Sequence, residues 1–202
     1  MASVIEGLLL ASASPTRARL LADAGLAIRV EPAAVDERAI KETLRAAGCG
    51  AAEGALRLAE AKARRVAEGH DRAAVIGADQ ILVCDNRWFD KPMDLAEARV
   101  QLQDLRGKTH ELATAVCVVR DAARVWHSVC RPRLRMREFT DAFLDDYLAA
   151  EGAQILGSVG AYRLEGRGAQ LFDDVEGDHF AILGLPLFEL LAFLRGCGTI
   201  PS

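Results

Sequence analysis

The stretch Gly7-Leu8-Leu9-Leu10-Ala11-Ser12-Ala13-Ser14-Pro15-Thr16-Arg17-Ala18-Arg19-Leu20-Leu21 decides how the chain is read. Gly7 to Ala11 is a short apolar strand that runs straight into a helix start. Ser14 suits the N-cap, and Pro15 falls at the first helical position, where its missing N–H costs nothing. Arg17 and Arg19 then break the electrostatic rule. The positive end of a helix disfavours cations by a few tenths to about 1 kcal/mol each. An anion would resolve the conflict, because free backbone N–H groups, the hydroxyls of Ser12 and Ser14 and a guanidinium can converge on a phosphate. The alternative is an exposed helix whose arginines only solvate its outer face.

Downstream, Ala27 to Val30 reads as a second strand, and a polar helical stretch runs from Asp36-Glu37 to about Gly48. Ala51 to Gly69 has strong helical composition, with Leu56, Leu58, Ala59, Ala63 and Val66 as its apolar side. Ala73 to Ala78 and Gln80 to Cys84 form an apolar run around Asp79, followed by turn chemistry at Asp85-Asn86-Arg87. Pro92 and Asp94 open a helix that Gly107 stops. Glu111–Arg120 and Arg124–Met136 read as two long hairpin strands. Thr140 caps a helix that ends at Gly152, and Gly157–Gly168 is irregular. Ala169–Phe172 and Phe180–Leu183 are short strand candidates, and Pro186 opens a last helix. Alternation in the first half and hairpins in the middle predict an α/β protein with a mixed sheet.

The chain has 202 residues, enough for one domain that folds without disulfides or metal. No internal domain boundary shows, so residues 1–202 read as one domain. With 51% hydrophobic and 27% charged residues the sequence is that of a globular protein, and a net charge of -4 argues against nucleic-acid binding as its main role. Five cysteines without a C-x-x-C pair exclude the common zinc spacing and favour a reducing compartment. Most of them read as small buried hydrophobes. The amino-terminal apolar run is too short for a signal peptide or a membrane span, so the cytoplasm is the expected location.

Asp79 interrupts a run otherwise fit for burial. Such a run tolerates a carboxylate where it meets a metal, a cation or a substrate, or where a strand end lets it cap the next turn. Lys91 sits on a loop end that Pro92 fixes. Lys62, between helix positions as polar as Arg64 and Arg65, reads as an ordinary surface lysine. The four histidines have no ligand spacing and read as surface or strand filler. No Walker, dinucleotide-binding, zinc-protease or nucleophile-elbow motif is present.

The blocks Ala11-Ser12-Ala13-Ser14-Pro15-Thr16-Arg17 with Leu20-Leu21, Gly77-Ala78-Asp79, Lys91-Pro92 and Leu105-Arg106-Gly107-Lys108-Thr109-His110 resemble the Maf (septum-formation inhibitor) family of nucleoside triphosphate pyrophosphatases. Gly160-Ala161-Tyr162 through Glu165-Gly166-Arg167-Gly168, and Gly184-Leu185-Pro186-Leu187, extend the match over nearly the whole chain. The resemblance implies an inosine-triphosphatase-like α/β fold: an elongated mixed sheet flanked by helices, with two lobes around a cleft. It implies hydrolysis between the α- and β-phosphates with a divalent cation, Mg²⁺ or Mn²⁺, and it admits a homodimer. By position, Ser12 and Arg17 fall on the phosphate loop, beside the Ser14 hydroxyl already read as a substrate contact. Glu37 and Lys62 match the acidic and basic cleft positions, Asp79 the proton acceptor and Lys91 the second lysine, with Glu37 and Asp79 as metal ligands.

Three positions bear on the nucleotide. The resemblance implies Arg, Thr and Gln in the dTTP/UTP branch where this chain has Thr16, Gln80 and Glu165. Gln and Glu at the last two match the 7-methyl-GTP branch, although Thr16 replaces an aromatic residue there. A carboxylate can accept from the adjacent N1–H and N2 amine of guanine, and a methylated, cationic base favours it further. A solvated loop carboxylate is the plainer account of Glu165. A dTTP/UTP or broad-specificity enzyme, and a non-catalytic septum regulator that only binds nucleotide, are the alternatives.

Overall fold

The structure is a computed structural model and describes residues 7–201. In chain order it contains β1 (Leu8–Leu10), α1 (Pro15–Asp23), β2 (Ile28–Val30), α2 (Glu37–Ala46), α3 (Ala51–Ala67), β3 (Ala74–Cys84), β4 (Arg87–Phe89) and α4 (Leu95–Leu105). Then follow β5 (Thr109–Arg120), β6 (Ala123–Cys130), β7 (Arg133–Met136), α5 (Asp141–Glu151), β8 (Phe172–Glu176), α6 (His179–Ile182) and α7 (Leu187–Gly196), with short 3-10 turns between α5 and β8. The strands form a mixed sheet in the order β2-β1-β3-β5-β7-β8, with β4 paired to β3 and β6 to β5. The α/β class with a mixed sheet and flanking helices is the one expected.

The chain divides into two compact units and passes between them four times, inside β3, inside β5, after β6 and after β8. The first holds the segment up to Gln80, Thr114–Cys130 and the segment from Asp178 onward. In it β1 runs parallel to β2 and β3, with Leu8 opposite Ile28 on one side and Ala74 on the other. The two-residue period of a strand sorts the side chains of β3. Ala74, Ile76 and Ala78 enter a core with Leu10, Leu21, Val116, Leu185, Leu190 and Leu194, which α1 and α7 cover. Val75, Gly77 and Asp79 take the opposite face, toward α3.

Gly77 sets how close α3 comes. A Cβ there would lie 2.0 Å from the Ala59 carbonyl oxygen and 2.9 Å from Ala63 Cβ. Helix backbone cannot yield to such a contact without moving the whole element. Leu58, Ala59, Ala63 and Val66 are buried along the facing stripe of α3, and alanines at the contact keep the helix low on the sheet.

The second unit holds Ile81–Ala113 and Arg131–Gly177. Its β3–β4 hairpin turns at Asp85 and Asn86, with φ of 50° and 61°, as a two-residue hairpin of this hand requires. β7 pairs with β5 and β8, both antiparallel. His110 lies in β5, as a strand residue of the kind expected, but is buried, and its Nε2 lies 2.8 Å from the Tyr162 hydroxyl. Every second residue of β5 faces inward there, so His110 follows the same alternation as the buried Leu112.

Three segments differ from expectation. The strand expected over Arg124–Met136 is broken into β6 and β7, because Pro132 has no N–H to give a ladder. Ala169–Phe172 is mostly a 3-10 turn, Arg167–Leu171, and the strand starts only at Phe172. Phe180–Leu183 is not a strand but lies largely in the one-turn helix α6, which Asp178 nucleates by accepting the Ala181 N–H. Of the five cysteines Cys84 and Cys117 are buried, Cys49 and Cys130 are half-buried and Cys197 is exposed, so fewer of them enter the core than expected. No helix among the described residues is long and apolar enough to cross a membrane.

Two outcomes follow from this packing. Gly77→Ala should destabilise the protein by about 1–3 kcal/mol, the usual cost of overpacking, read as a lower urea midpoint. Burial lowers the His110 pKa to about 4, while the unfolded chain titrates near about 6.5. The unfolded state therefore binds the proton first, and stability that is complete above about pH 7 is lost as the pH falls from about 6.5 toward 4. His110→Gln should flatten the dependence of the urea midpoint on pH across that window.

Candidate active site

Parallel strands deliver their following segments to one edge, and ligand sites in α/β sheets form at that carboxyl edge. The carboxyl end of β1 leads into Ser12–Ser14 and α1. The end of β2 leads through residues 31–36 to α2, whose first residue is Glu37. β3 continues past its pairing with β1, which carries Asp79 beyond the β1 terminus.

The α1 entry has the form expected from its sequence. Ser14 is the N-cap and accepts the Arg17 N–H at 3.4 Å. Ser12 is buried, and its Oγ accepts from the Ser14 N–H at 3.3 Å and from Arg17 Nη1 at 3.0 Å. Arg17 is itself buried, and its Nε donates to the Gly184 carbonyl at 2.7 Å. Gly184 has φ +103°, and a Cβ there would stand 3.4 Å from Arg17 Nε. Glycine thus lets the carbonyl meet the guanidinium edge-on. Burial lowers the Arg17 pKa, and the negative charges of Asp79 and Glu37 oppose that shift. Arginine remains a cation in any case. Two internal bonds leave donor capacity on its five-donor fork for an anion.

Lys62 joins two carboxylates. Its Nζ lies 2.5 Å from Asp79 Oδ1 and 2.8 Å from Glu37 Oε1. Lys62 and Asp79 are buried, whereas the Glu37 side chain is 47% exposed. The second Asp79 oxygen, Oδ2, is buried and without a hydrogen-bond partner. A buried carboxylate oxygen left unpaired in a polar cluster is an acceptor awaiting a proton, a cation or a ligand.

The first unit thus brings together Ser12, Ser14, Arg17, Glu37, Lys62 and Asp79, with Thr16 half-buried in the first turn of α1. Gln80 is on β3 beside them, but its amide nitrogen is turned inward, donating to Thr114 Oγ1 at 2.8 Å and to the Ala181 and Ile182 carbonyls at 3.1 Å each. Lys91 and Glu165 belong to the second unit. Lys91 is exposed on the loop between β4 and α4, ahead of buried Pro92. Glu165 is an exposed loop residue whose Oε1 lies 3.6 Å from Arg163 Nε.

Lys62 is buried, not the surface lysine expected from its neighbours. Lys62 stands four residues after Leu58 and four before Val66, on the buried stripe of α3, so helical periodicity carried the signal. Thr114 is fully buried on β5 and donates to the Ala181 carbonyl at 2.9 Å, a role that its apolar sequence neighbours do not signal.

Removing one partner of a buried pair strands the other charge, at about 3–5 kcal/mol. Lys62→Ala should therefore lower the unfolding free energy by that order. Glu37→Gln, acting on a carboxylate half in water, should cost under about 1 kcal/mol, both read by urea denaturation.

The chain matches the family model described as Maf-like protein over residues 7–197. It is 51% identical over 202 residues to a protein of Rhodospirillum rubrum named nucleoside triphosphate pyrophosphatase, covering 100% of both chains. It is 48% identical over 195 residues to a protein of Rhizobium meliloti named 7-methyl-GTP pyrophosphatase, covering 96% of this chain and 98% of the relative. A solved nucleoside-triphosphatase / dITP/XTP pyrophosphatase from Mycobacterium abscessus is a loose likeness, with 15% identity, a TM-score of 0.45 and coverage of 96% and 97%. A family match over almost every described residue, with full-length relatives near half identity, places this chain in the Maf-like protein family.

Proposed function

We propose that the protein is a nucleoside triphosphate pyrophosphatase, which hydrolyses the bond between the α- and β-phosphates and releases a nucleoside monophosphate and pyrophosphate. One observation carries this reading: the buried Asp79 carboxylate, held at Oδ1 by Lys62, keeps Oδ2 unpartnered within the field of the Arg17 guanidinium. The names of full-length relatives support it.

Phosphoryl transfer requires positioning and charge neutralisation more than covalent help. Ser12, the α1 N-terminus and Arg17 bind phosphate oxygens, and Lys62 adds a second positive charge. Asp79 Oδ2 accepts a proton from the attacking water as its oxygen bonds to the α-phosphorus, and the α–β bridging oxygen leaves with pyrophosphate. A role for Lys91 as a further phosphate-binding cation rests on its sequence match.

Glu37 and Asp79 fit a divalent cation, Mg²⁺ or Mn²⁺. Their chemistry is that of hard oxygen donors, and the two carboxylates converge on the same Lys62 ammonium. Magnesium is commonly held by one or two carboxylates together with substrate phosphates. Among the described residues no group of three or more His, Cys, Asp or Glu could hold a metal by itself, so the substrate would complete the coordination. Bound there, the cation would neutralise charge on the phosphates.

For the base we propose guanine, in particular 7-methyl-GTP. Glu165 supports this on chemical grounds, since it would accept from two adjacent donors that uracil and thymine lack. All five cysteines are free thiols, which suits a reducing compartment and the cytoplasm as location.

Pyrophosphate release from a panel of standard and methylated nucleoside triphosphates, with Mg²⁺ or Mn²⁺, tests the reading. Asp79→Asn should lower kcat by about 10²–10⁴-fold, and turnover near the wild-type rate would remove Asp79 from the mechanism. Glu165→Gln should reduce the preference for guanine over pyrimidine triphosphates. Unchanged relative kcat/KM values would refute the base assignment alone.

A further inference from the structure

Glu165 lies in an exposed stretch of main chain, yet its side chain is only 22% exposed. The carboxylate folds back on Arg163, whose Nε stands in ion-pair range, 3.6 Å from Oε1. Arg163 is held in turn from the other end of its guanidinium. Its Nη1 donates to Gln154 Oε1 and lies 3.9 Å from Glu151 Oε2. Glu151 ends α5 with its side chain 9% exposed, and Gln154 lies in the 3-10 turn that follows. The main chain is fixed as well. The Gly166 N–H donates to the Arg163 carbonyl at 3.1 Å, and the Tyr147 hydroxyl to the Ala161 carbonyl at 3.2 Å. A Cβ at Gly168 would stand 2.8 Å from the Arg163 nitrogen and closer still to its carbonyl oxygen. Only glycine there lets the loop close so tightly on Arg163.

We propose that Arg163 is a positioning residue for base recognition: clamped by Glu151 and Gln154, it holds the Glu165 carboxylate in one rotamer for the N1–H and N2 amine of guanine. The role rests on the guanine reading of Glu165 and deepens it. Two adjacent donors demand both carboxylate oxygens in the plane of the base, which a freely turning glutamate offers only part of the time. Ordering such a side chain on binding costs affinity, and a partner that orders it beforehand removes that cost. A carboxylate has about four acceptor positions, so the pair with Arg163 leaves room for the base. Nor does the arginine cancel the charge. Glu151 and Glu165 are two carboxylates against one guanidinium, and the negative excess of the cluster suits a cationic, methylated base.

The test measures pyrophosphate release by Arg163→Gln, Arg163→Lys and Glu165→Ala, and by Arg163→Gln combined with Glu165→Ala. GTP is the reporter because its base is neutral, whereas removing a cation would favour 7-methyl-GTP by charge alone. Arg163→Gln should raise KM for GTP by about 3- to 10-fold, the usual worth of ordering one side chain, with kcat nearly unchanged. UTP and dTTP should keep both constants, which also shows that the variant is folded. Arg163→Lys should recover part of the loss, since it keeps the charge but not the fork. Added to Glu165→Ala, Arg163→Gln should change nothing further, because the two residues act through one contact. Calorimetry with α,β-methylene analogues of GTP and UTP needs no turnover, and only the guanine analogue should bind Arg163→Gln more weakly. Equal losses for GTP and UTP, an unmoved GTP constant, or a loss repeated in full in Glu165→Ala would each overturn the proposal. If Glu165→Ala itself leaves the preference for GTP over UTP unmoved, the base assignment falls, and the role of Arg163 with it. A wild-type protein that releases pyrophosphate from no triphosphate would instead overturn the activity, and the calorimetry would still decide the positioning role.

Discussion

The low approach of α3 to β3 at Gly77 is the constraint on which the site depends. With no side chain on Gly77, the Ala59 carbonyl comes to a position that any Cβ would occupy. Lys62 follows Ala59 by three residues on the helix and Asp79 follows Gly77 by two on the strand, so both point into the gap the contact defines. The 2.5 Å contact between Lys62 and Asp79 is the result. A helix lifted by one methyl group would separate them, and a buried aspartate without its lysine would sit unneutralised beside apolar strand neighbours.

Around that pair, the two positive groups are held differently. Lys62 has one buried and one hydrated carboxylate. Arg17 is anchored on a hydroxyl and a main-chain carbonyl, neither of which neutralises its charge. Arginine at the start of α1 is unfavourable for an isolated helix and is stabilised here by the charges of Asp79 and Glu37. The donors that Arg17 keeps beyond these two bonds are the ones the proposed triphosphate would take.

Much of this was legible in the residues. The capped entry to α1, the serine–arginine loop and the aspartate in an apolar run all take the form their sequence implied, because each depends on local chemistry. What escaped depended on tertiary context. Lys62 was hidden by its neighbours Arg64 and Arg65, although its spacing from Leu58 and Val66 put it on the buried stripe. His110 and Thr114 follow the inward alternation of β5, but a polar residue on a core face declares its partner only when a distant segment arrives: Tyr162 for one and Ala181 for the other. Phe180–Leu183 is short and apolar, and so fits strand or helix by composition; the Asp178 cap decides it.

A crystal structure with an α,β-methylene nucleoside triphosphate and Mg²⁺ tests the central claim most directly. The account predicts phosphate oxygens within hydrogen-bond reach of Ser12 and the Arg17 guanidinium, with the cation beside Glu37 and a water on Asp79 Oδ2. A triphosphate bound away from these residues, with Oδ2 still unpartnered, would contradict it.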